Sequence, residues 1–392
     1  MMKKTDYQTE LERIENTIAE LEGNAFVPPA DTEKLTTYVS GLYQRAVLTG
    51  NLGALEATQA VIDEAIRQLR LPGDLYFLKA KLAFQLHRLD DVRRNLAAAP
   101  SLPTSAEGRA LLADVDFQEG RYREARTGYE SVLADNRTWD NLARLAHFEA
   151  KLGDPALADR LYWEAEDELT AKQMRSYAWV ELQRGLLDLA HGRHDDAAVH
   201  YRRADQAYSG YWLVAEHMAE LLAAQGELAQ AAALYEDVVA QVPRPDLQQA
   251  LAQLYTLLGR HVRARSCRVM ARAAYLQSVR RGGVHYYHHL ADFYADVLED
   301  GAEAVKWARK DIALRENFST QAALAWALYR DGRFAEALES IEHALASGVK
   351  DAHLFSQAAI IYRAAGRADE AAPYSQMAAA INPYHGSFHV HR

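Results

Sequence analysis

Glycines recur along this chain at a near-constant spacing. Seven of them, separated by 33, 39, 34, 33, 73 and 34 residues, are Gly120, Gly153, Gly192, Gly226, Gly259, Gly332 and Gly366. The 73-residue interval holds one less regular repeat, for which Gly301 is the expected turn residue. A period of about 34 residues is the signature of a helical repeat solenoid built from two-helix units. The sequence therefore predicts one quasi-linear all-helical body instead of several globular domains.

The residues after each glycine also keep an order. After Gly120, for example, Tyr122, Ala125 and Tyr129 lie two, five and nine places on. Glycine supplies the left-handed conformation of a tight turn between helices, and alanine lets a neighbouring helix approach closely. One hairpin cannot bury its apolar face alone, so we expect successive units to stack into a continuous core.

Further copies of the pattern point to a known family. They are Gly226, Ala231, Tyr235 and Pro243; Gly332, Phe334, Ala337 and Ala344; and Tyr362, Gly366, Ala371, Ala378 and Asn382 with Pro383. This pattern resembles the tetratricopeptide repeat family from about Ser105 to the C-terminus, and the first hundred residues resemble it only loosely. The resemblance implies an all-α, right-handed superhelical solenoid of antiparallel helix hairpins, here with nine or ten hairpins.

Four segments are expected along the chain. Residues 1–30 form an N-terminal capping helix and linker, because Leu11, Ile14, Ile18 and Leu21 follow helical spacing before Gly23 and Pro28 with Pro29. Residues 31–104 are divergent helical repeats, in which His87 and Arg88 stand where a turn glycine is expected. Residues 105–381 are regular repeats, and residues 382–392 form a histidine-containing tail. The alternative for the first stripe is a short coiled coil between two subunits.

The composition of the chain indicates which ligands it binds and in which compartment it lies. A formal net charge of -10 and a pI near 5.9 argue against nucleic acid, because phosphate binding needs a basic surface. Cys267 is the only cysteine, so no disulfide forms within one chain. The sequence has neither an apolar signal region after its first residues nor an apolar stretch that would span a bilayer, which predicts a cytoplasmic protein.

The resemblance implies that the first helix of each unit faces a concave groove. The groove residues predicted to bind a partner are Trp179, Glu216, Glu220, Tyr286, His289, Phe293, Trp326, Tyr329 and Arg330. Aromatic side chains in a concavity bury much area at small entropic cost, so they are typical anchors for a partner. We expect a peptide or protein segment as ligand, although any single aromatic here also fits the core between repeats.

A run of arginines is the second candidate site. Its members are Arg260, Arg263, Arg265, Arg268 and Arg272, and their spacing places several guanidinium groups on one helical face. Such a face binds carboxylates or phosphates, but an arginine run is also common on a solvated outer surface. Arg268 stands where other units carry a tyrosine, so its charge must be paired or reach solvent.

Histidine clusters are the third candidate site. His285, His288 and His289 share one helical face, and the tail adds His385, His389 and His391, so a metal- or small-ligand-binding protein is an alternative. We expect no metal site, because residues 282–287 also fit a loop and no carboxylate or cysteine stands at a recognised ligand spacing. No catalytic motif occurs, which predicts a non-enzymatic scaffold without catalytic residues or cofactor. A self-assembling scaffold, with stacking of repeat ends between copies, is the third interpretation.

Overall fold

The computed structural model describes residues 4–27, 31–69 and 73–388, and within these ranges the chain is helical without strands. Twenty-one α-helices are described, with a 3-10 turn at Leu102–Thr104 and a π-helical turn at Phe293–Val297. The helices are α1 (Asp6–Glu22), α2 (Thr32–Leu48), α3 (Leu52–Gln68), α4 (Gly73–Gln85), α5 (Leu89–Ala97), α6 (Ala106–Gln118), α7 (Tyr122–Asp135), α8 (Trp139–Leu152), α9 (Pro155–Asp167), α10 (Met174–Ala190), α11 (His194–Ala207), α12 (Trp212–Ala224), α13 (Leu228–Gln241), α14 (Pro245–Leu257), α15 (His261–Arg280), α16 (Tyr287–Asp292), α17 (Gly301–Ile312), α18 (Phe318–Arg330), α19 (Phe334–Ala346), α20 (Ala352–Ala364) and α21 (Ala368–Ile381).

After α1, the helices pair in chain order into hairpins. The pairs run from α2 with α3 to α20 with α21, and each helix except α17 packs most closely on its own partner; α17 packs most closely on α18. The described residues thus form ten hairpins, and these stack along the chain with the second helix of most units against the first helix of the next. The predicted all-α solenoid of antiparallel helix hairpins is confirmed.

The turn glycines have the predicted conformation. All seven have positive φ, between 69° and 96°. A residue with a β-carbon rarely adopts this region, so the period of the glycines in the sequence marks the positions of the turns. In the divergent part, His87 takes the same role with a φ of 57°.

The irregular unit turns at a different residue from the one expected. Glu299, not Gly301, has the positive φ, at 55°, and Gly301 is the first residue of α17. A β-carbon on Gly301 would stand 2.5 Å from the backbone nitrogen of Asp331. Gly301 is therefore a position of close helix approach, where any larger residue would push α17 away from the end of α18.

Alanine and tyrosine form the core of the regular units. Ala125 and Tyr129 are buried in α7, and the same pair of positions is buried in α9, α11 and α13. At the tyrosine position of α15 stands Arg268, whose guanidinium donates to the Thr256 hydroxyl over 2.8 Å. The hydrophobic core divides there, with one cluster ending at Ala264 and another beginning at Ala271.

Successive turns of the superhelix touch. The α6–α7 turn packs against the α17–α18 loop, where a β-carbon on Gly120 would stand 2.5 Å from the Glu316 carbonyl oxygen. Asn317 Nδ2 donates to the Gln118 carbonyl over 2.7 Å, and the Phe318 backbone N–H donates to the Tyr122 hydroxyl over 2.9 Å. Since the joined residues lie 196 to 199 positions apart, the solenoid completes a full turn in about six hairpins. We call this line of contact the seam.

The seam continues along both halves of the chain. Trp212 Nε1 donates to the Leu48 carbonyl over 2.9 Å, and the Trp212 ring packs against the α2–α3 turn at Gly50. Further on, the α8–α9 turn at Gly153 packs against Lys350. The first helix also takes part in the seam, because the Tyr7 backbone N–H donates to the Ser209 carbonyl over 3.2 Å.

The first helix also packs within the chain. Ile14 and Ile18 of its apolar stripe are buried, and Leu11 and Leu21 are partly buried against the same core. The flanking Pro28 and Pro29 lie outside the described residues. Among the helices that the structure describes, none combines the length and the apolar character needed to cross a membrane.

Candidate partner-binding site

The inner side of the superhelix forms a cavity of about 890 Å³ that is partly open to solvent. Its lining comes mainly from the first helices of the hairpins, α6, α8, α10, α12, α14, α16, α18 and α20. Phe388 of the C-terminal tail also lines it. A cavity of this size matches ordinary ligand-binding sites, and it lies where the first helices were expected to form a groove.

Charged groups of both signs line this cavity. The cations are Lys151, Arg268, Arg315 and Arg330, and the carboxylates are Asp292, Asp296, Glu299 and Asp351. Side-chain amides also line the cavity, at Gln118, Gln183, Gln249, Gln253, Asn317 and Gln357. Amides both donate and accept hydrogen bonds, so the lining is suited to polar ligands that carry peptide groups.

One predicted aromatic anchor lines the cavity. Trp326 Nε1 donates to Asp296 Oδ1 over 3.0 Å, and its ring stacks on Tyr329 with ring centroids 5.0 Å apart. Arg330, one turn after Trp326, donates from Nε to the Ala295 carbonyl over 2.8 Å. These contacts fix the indole ring and the guanidinium at the cavity wall, so a ligand would meet a pre-oriented pair.

Two other predicted anchors lie in the core. Tyr286 and Phe293 are both buried, packed around the Tyr275 ring at centroid distances of 5.1 and 5.7 Å. They flank the short α16, which passes into the π-helical turn, and in this irregular unit positions counted from a turn glycine do not predict which way a side chain faces. His289 packs beside the same tyrosine, with ring centroids 6.3 Å apart. In this structure the aromatic pair stabilises the unit instead of facing a ligand.

The predicted acidic residues of the middle units are also buried. Glu216 and Glu220 lie between helices, and Glu220 pairs with the His217 ring nitrogen Nδ1 at 3.2 Å. Burial, and then these two carboxylates, hold the pKa of the neighbouring Tyr235 hydroxyl well above its usual value. Of this group it is His217 that lines the cavity.

Trp179 lies in a separate hydrophobic cluster. Its ring makes an edge contact with Trp139 at 6.4 Å between centroids, and it packs against the core of the α6–α9 units. Trp179 is only partly buried, but it does not reach the wall of the cavity. It is therefore a packing residue of these units in the structure.

The three histidines of residues 285–289 have separate environments. Burial lowers the pKa of His285 to about 4. His288 pairs with Asp311, with 3.1 Å between Nδ1 and Oδ2; burial opposes its charge, but the Asp292 and Asp311 carboxylates raise the pKa of His288. Within the ranges that the structure covers, no group of three histidine, cysteine or carboxylate side chains is arranged to hold a metal ion. His389 and His391 lie outside the described residues.

The five arginines of the basic run do not act as one patch. Arg268 points to the cavity, and Arg263 pairs with Glu236 at 3.1 Å. Arg272 donates to the Tyr294 hydroxyl over 3.2 Å, and Arg260 lies 6.0 Å from the Tyr255 ring centroid. Arg265 is exposed. The run therefore divides between the inside and the outside of the superhelix.

Sequence reasoning missed the residues that the seam brings to the cavity. Arg315 and Asn317 line it from the α17–α18 loop, Phe318 from the start of α18, and Phe388 from the tail. Position within one repeat gives no signal for a contact between units six apart. Arg268 is the exception, because a charge at a tyrosine position does mark an opening in the core.

Comparison with known proteins agrees with this architecture. A family model for the tetratricopeptide repeat matches residues 188–254, from the end of α10 into α14. These residues therefore match tetratricopeptide repeats, in agreement with the resemblance that the glycine, alanine and tyrosine spacing carries. A search of curated proteins finds no match to the sequence.

Three solved structures show looser similarity. The chain in the APC/C hetero-tetramer Cut9–Hcn1 is 16% identical, with 96% of this chain and 80% of that chain covered and a TM-score of 0.44. A tetratricopeptide repeat protein from Parabacteroides merdae is 16% identical over 63% of this chain and 94% of its own, with a TM-score of 0.38. PilF of Pseudomonas aeruginosa is 18% identical over 54% of this chain and 94% of its own, with a TM-score of 0.32. The likeness to tetratricopeptide repeats rests on the family model over residues 188–254 and on the helix hairpins, not on these scores.

Proposed function

We propose that this protein is a non-enzymatic scaffold that binds a segment of a partner protein inside its superhelix. The observation that carries the proposal is the wall formed by Trp326 and Arg330, held in place by Asp296 and a backbone carbonyl and facing a cavity of about 890 Å³. An indole ring supplies apolar contact area at low entropic cost, and the surrounding amides and charges can pair with backbone and side-chain groups of a peptide. Interaction scaffolds are the general role of the fold.

Charge in the cavity would select the segment. Because four cations and four carboxylates line the wall, a segment that carries both signs fits better than a uniformly basic or acidic one. Burial, and then the neighbouring Lys151, lower the pKa of His147 to about 3, so this wall residue is neutral at physiological pH. The proposed ligand is thus a mixed-charge segment with an apolar side chain for Trp326.

Affinity capture from the lysate of the native host tests this proposal. The baits are the wild type and two variants of residues that line the cavity, Trp326→Ala and Lys151→Glu. We expect the same protein to be recovered by the wild type and lost with both variants, as measured by quantitative mass spectrometry. Circular dichroism checks that each variant keeps its helical content.

A matched tryptophan provides the control. Trp163 is 56% exposed and does not line the cavity, so Trp163→Ala removes an indole ring without changing the proposed site. The Trp163→Ala bait should recover the partner as the wild type does. If the cavity variants retain the same proteins as the wild type, binding inside the superhelix is refuted.

A further inference from the structure

The outward face of α15 carries an apolar strip that the protein leaves exposed. Val262 and Val269 are 86% and 63% exposed, among the most exposed large apolar residues of the described chain. They lie seven positions apart, about two helical turns, so both side chains point to the same side. Ala273 continues the strip one turn later and is also exposed. The buried side of α15, at Ala264, Ala271 and Tyr275, is the opposite one.

Arginines border this strip on both sides. On a helical projection, Arg265 and Arg272 fall to one side of the two valines, and Arg263 falls to the other. Within α15 there is no aspartate or glutamate, although the whole chain has 54 acidic and 44 basic residues. This helix therefore carries a net positive charge, although the net charge of the whole chain is negative.

Some of this charge remains available to a partner. No hydrogen bond or ion pair joins Arg265 to any residue within the described ranges. Arg263 is 60% exposed even while paired with Glu236. An arginine fork pairs with a carboxylate through two parallel hydrogen bonds, which gives both energy and orientation.

We propose that the outward face of α15, defined by Val262, Arg265, Val269 and Arg272, binds an acidic amphipathic helix of a partner protein. Such a helix would lay apolar side chains, spaced three and four residues apart, along the valine strip, with glutamates or aspartates on either side reaching the arginines. This surface lies on the outside of the superhelix and is independent of the cavity. Two partners, or two segments of one partner, can therefore bind together.

A lipid surface fits the same face less well. Helices that lie on membranes bury tryptophan, phenylalanine or leucine, whereas this strip offers valine and alanine. The net charge of -10 would also repel an anionic bilayer from the rest of the protein. An acidic helix matches the arginines locally without bringing a large negative surface near the chain.

Fluorescence anisotropy with a designed probe tests the proposal on the full-length protein. The probe is a labelled synthetic helix with leucines on one face and glutamates on both borders. A peptide of the same composition in scrambled order, which has no apolar face, is the first comparison. Vesicles of phosphatidylserine and phosphatidylcholine are the second.

Variants assign the binding to α15. Val269→Asp and Arg265→Glu change exposed side chains, so the fold should tolerate them, and each is expected to weaken probe binding at least about five-fold. The control is Arg123→Glu, at an arginine of α7 whose side chain is 90% exposed, which should leave the affinity within about two-fold. Trp326→Ala should also leave the affinity unchanged, because its side chain lines the cavity.

Several results would overturn the proposal. They are the absence of probe binding, equal binding of the scrambled peptide, and equal affinity of the two α15 variants and the wild type. Vesicle binding that Val269→Asp abolishes, without binding of the probe, would assign the face to a lipid surface instead.

Discussion

Replacement of Gly120 by alanine tests the contact between successive turns of the superhelix. Gly120 has a φ of 74°, and a β-carbon there would stand 2.5 Å from the Glu316 carbonyl oxygen. The left-handed conformation costs an L-residue about 1–2 kcal/mol, and steric overlap in a packed contact adds about 1–3 kcal/mol. We therefore expect Gly120→Ala to lower the free energy of unfolding by about 2–5 kcal/mol.

A second turn glycine separates the two contributions. Gly259 has nearly the same φ, 69°, but apart from its own chain neighbours no heavy atom lies within 4 Å of the position that its β-carbon would take. Gly259→Ala should therefore cost only the conformational part, about 1–2 kcal/mol. The difference between the free energies that the two variants lose measures the steric contribution of the seam contact at Gly120.

Urea-induced unfolding followed by circular dichroism gives this comparison. Hydrogen exchange adds a local measurement, because the Phe318 N–H donates across the seam to the Tyr122 hydroxyl and should exchange faster in Gly120→Ala than in Gly259→Ala. If both alanine variants lose the same stability and protect Phe318 equally, the turns do not touch in solution and the reasoning fails.

Three further predictions concern buried groups. Burial lowers the pKa of His285 from 6.5 to about 4, so between these pH values the unfolded chain binds a proton that the folded chain does not. The free energy of unfolding should therefore fall as the pH decreases through that window. If the His285→Gln variant shows the same pH dependence as the wild type in urea unfolding, this prediction is wrong. Trp212→Phe removes the hydrogen bond to the buried Leu48 carbonyl and should cost about 1–3 kcal/mol in thermal unfolding, whereas an unchanged transition would argue against this contact. Burial raises the pKa of the Cys267 thiol, so a thiol reagent at neutral pH should modify Cys267 more slowly than free cysteine, and an equal or faster rate would refute its burial.

The sequence predicted the features that repeat. Each turn glycine and each buried alanine depends on its own hairpin, so a local pattern was enough to find them. Even the divergent turn at His87 was found, because its neighbours kept the order of the pattern. Local order in the chain therefore predicted the fold class and the number of units.

The site was predicted less completely because its geometry is not local. Tyr286 and Phe293 occupy groove positions by counting, but they flank the short, irregular α16 and both are buried in the core. Arg315 and Phe388 line the cavity only because the superhelix closes upon itself. No pattern within one repeat of about 34 residues carries information on contacts nearly 200 residues apart.

The seam changes how such a chain would fold. In an open solenoid each unit depends only on its neighbours, and folding spreads from any point along the array. Here the Asn317 side chain bonds to a backbone carbonyl 199 positions away, so this contact forms only after a long loop has closed. Compared with a loop of about 34 residues, that closure costs about 1.5 kcal/mol more in chain entropy. The repeats therefore behave as one cooperative body, in which removal of hairpins from one end uncovers turns about six hairpins away along the chain.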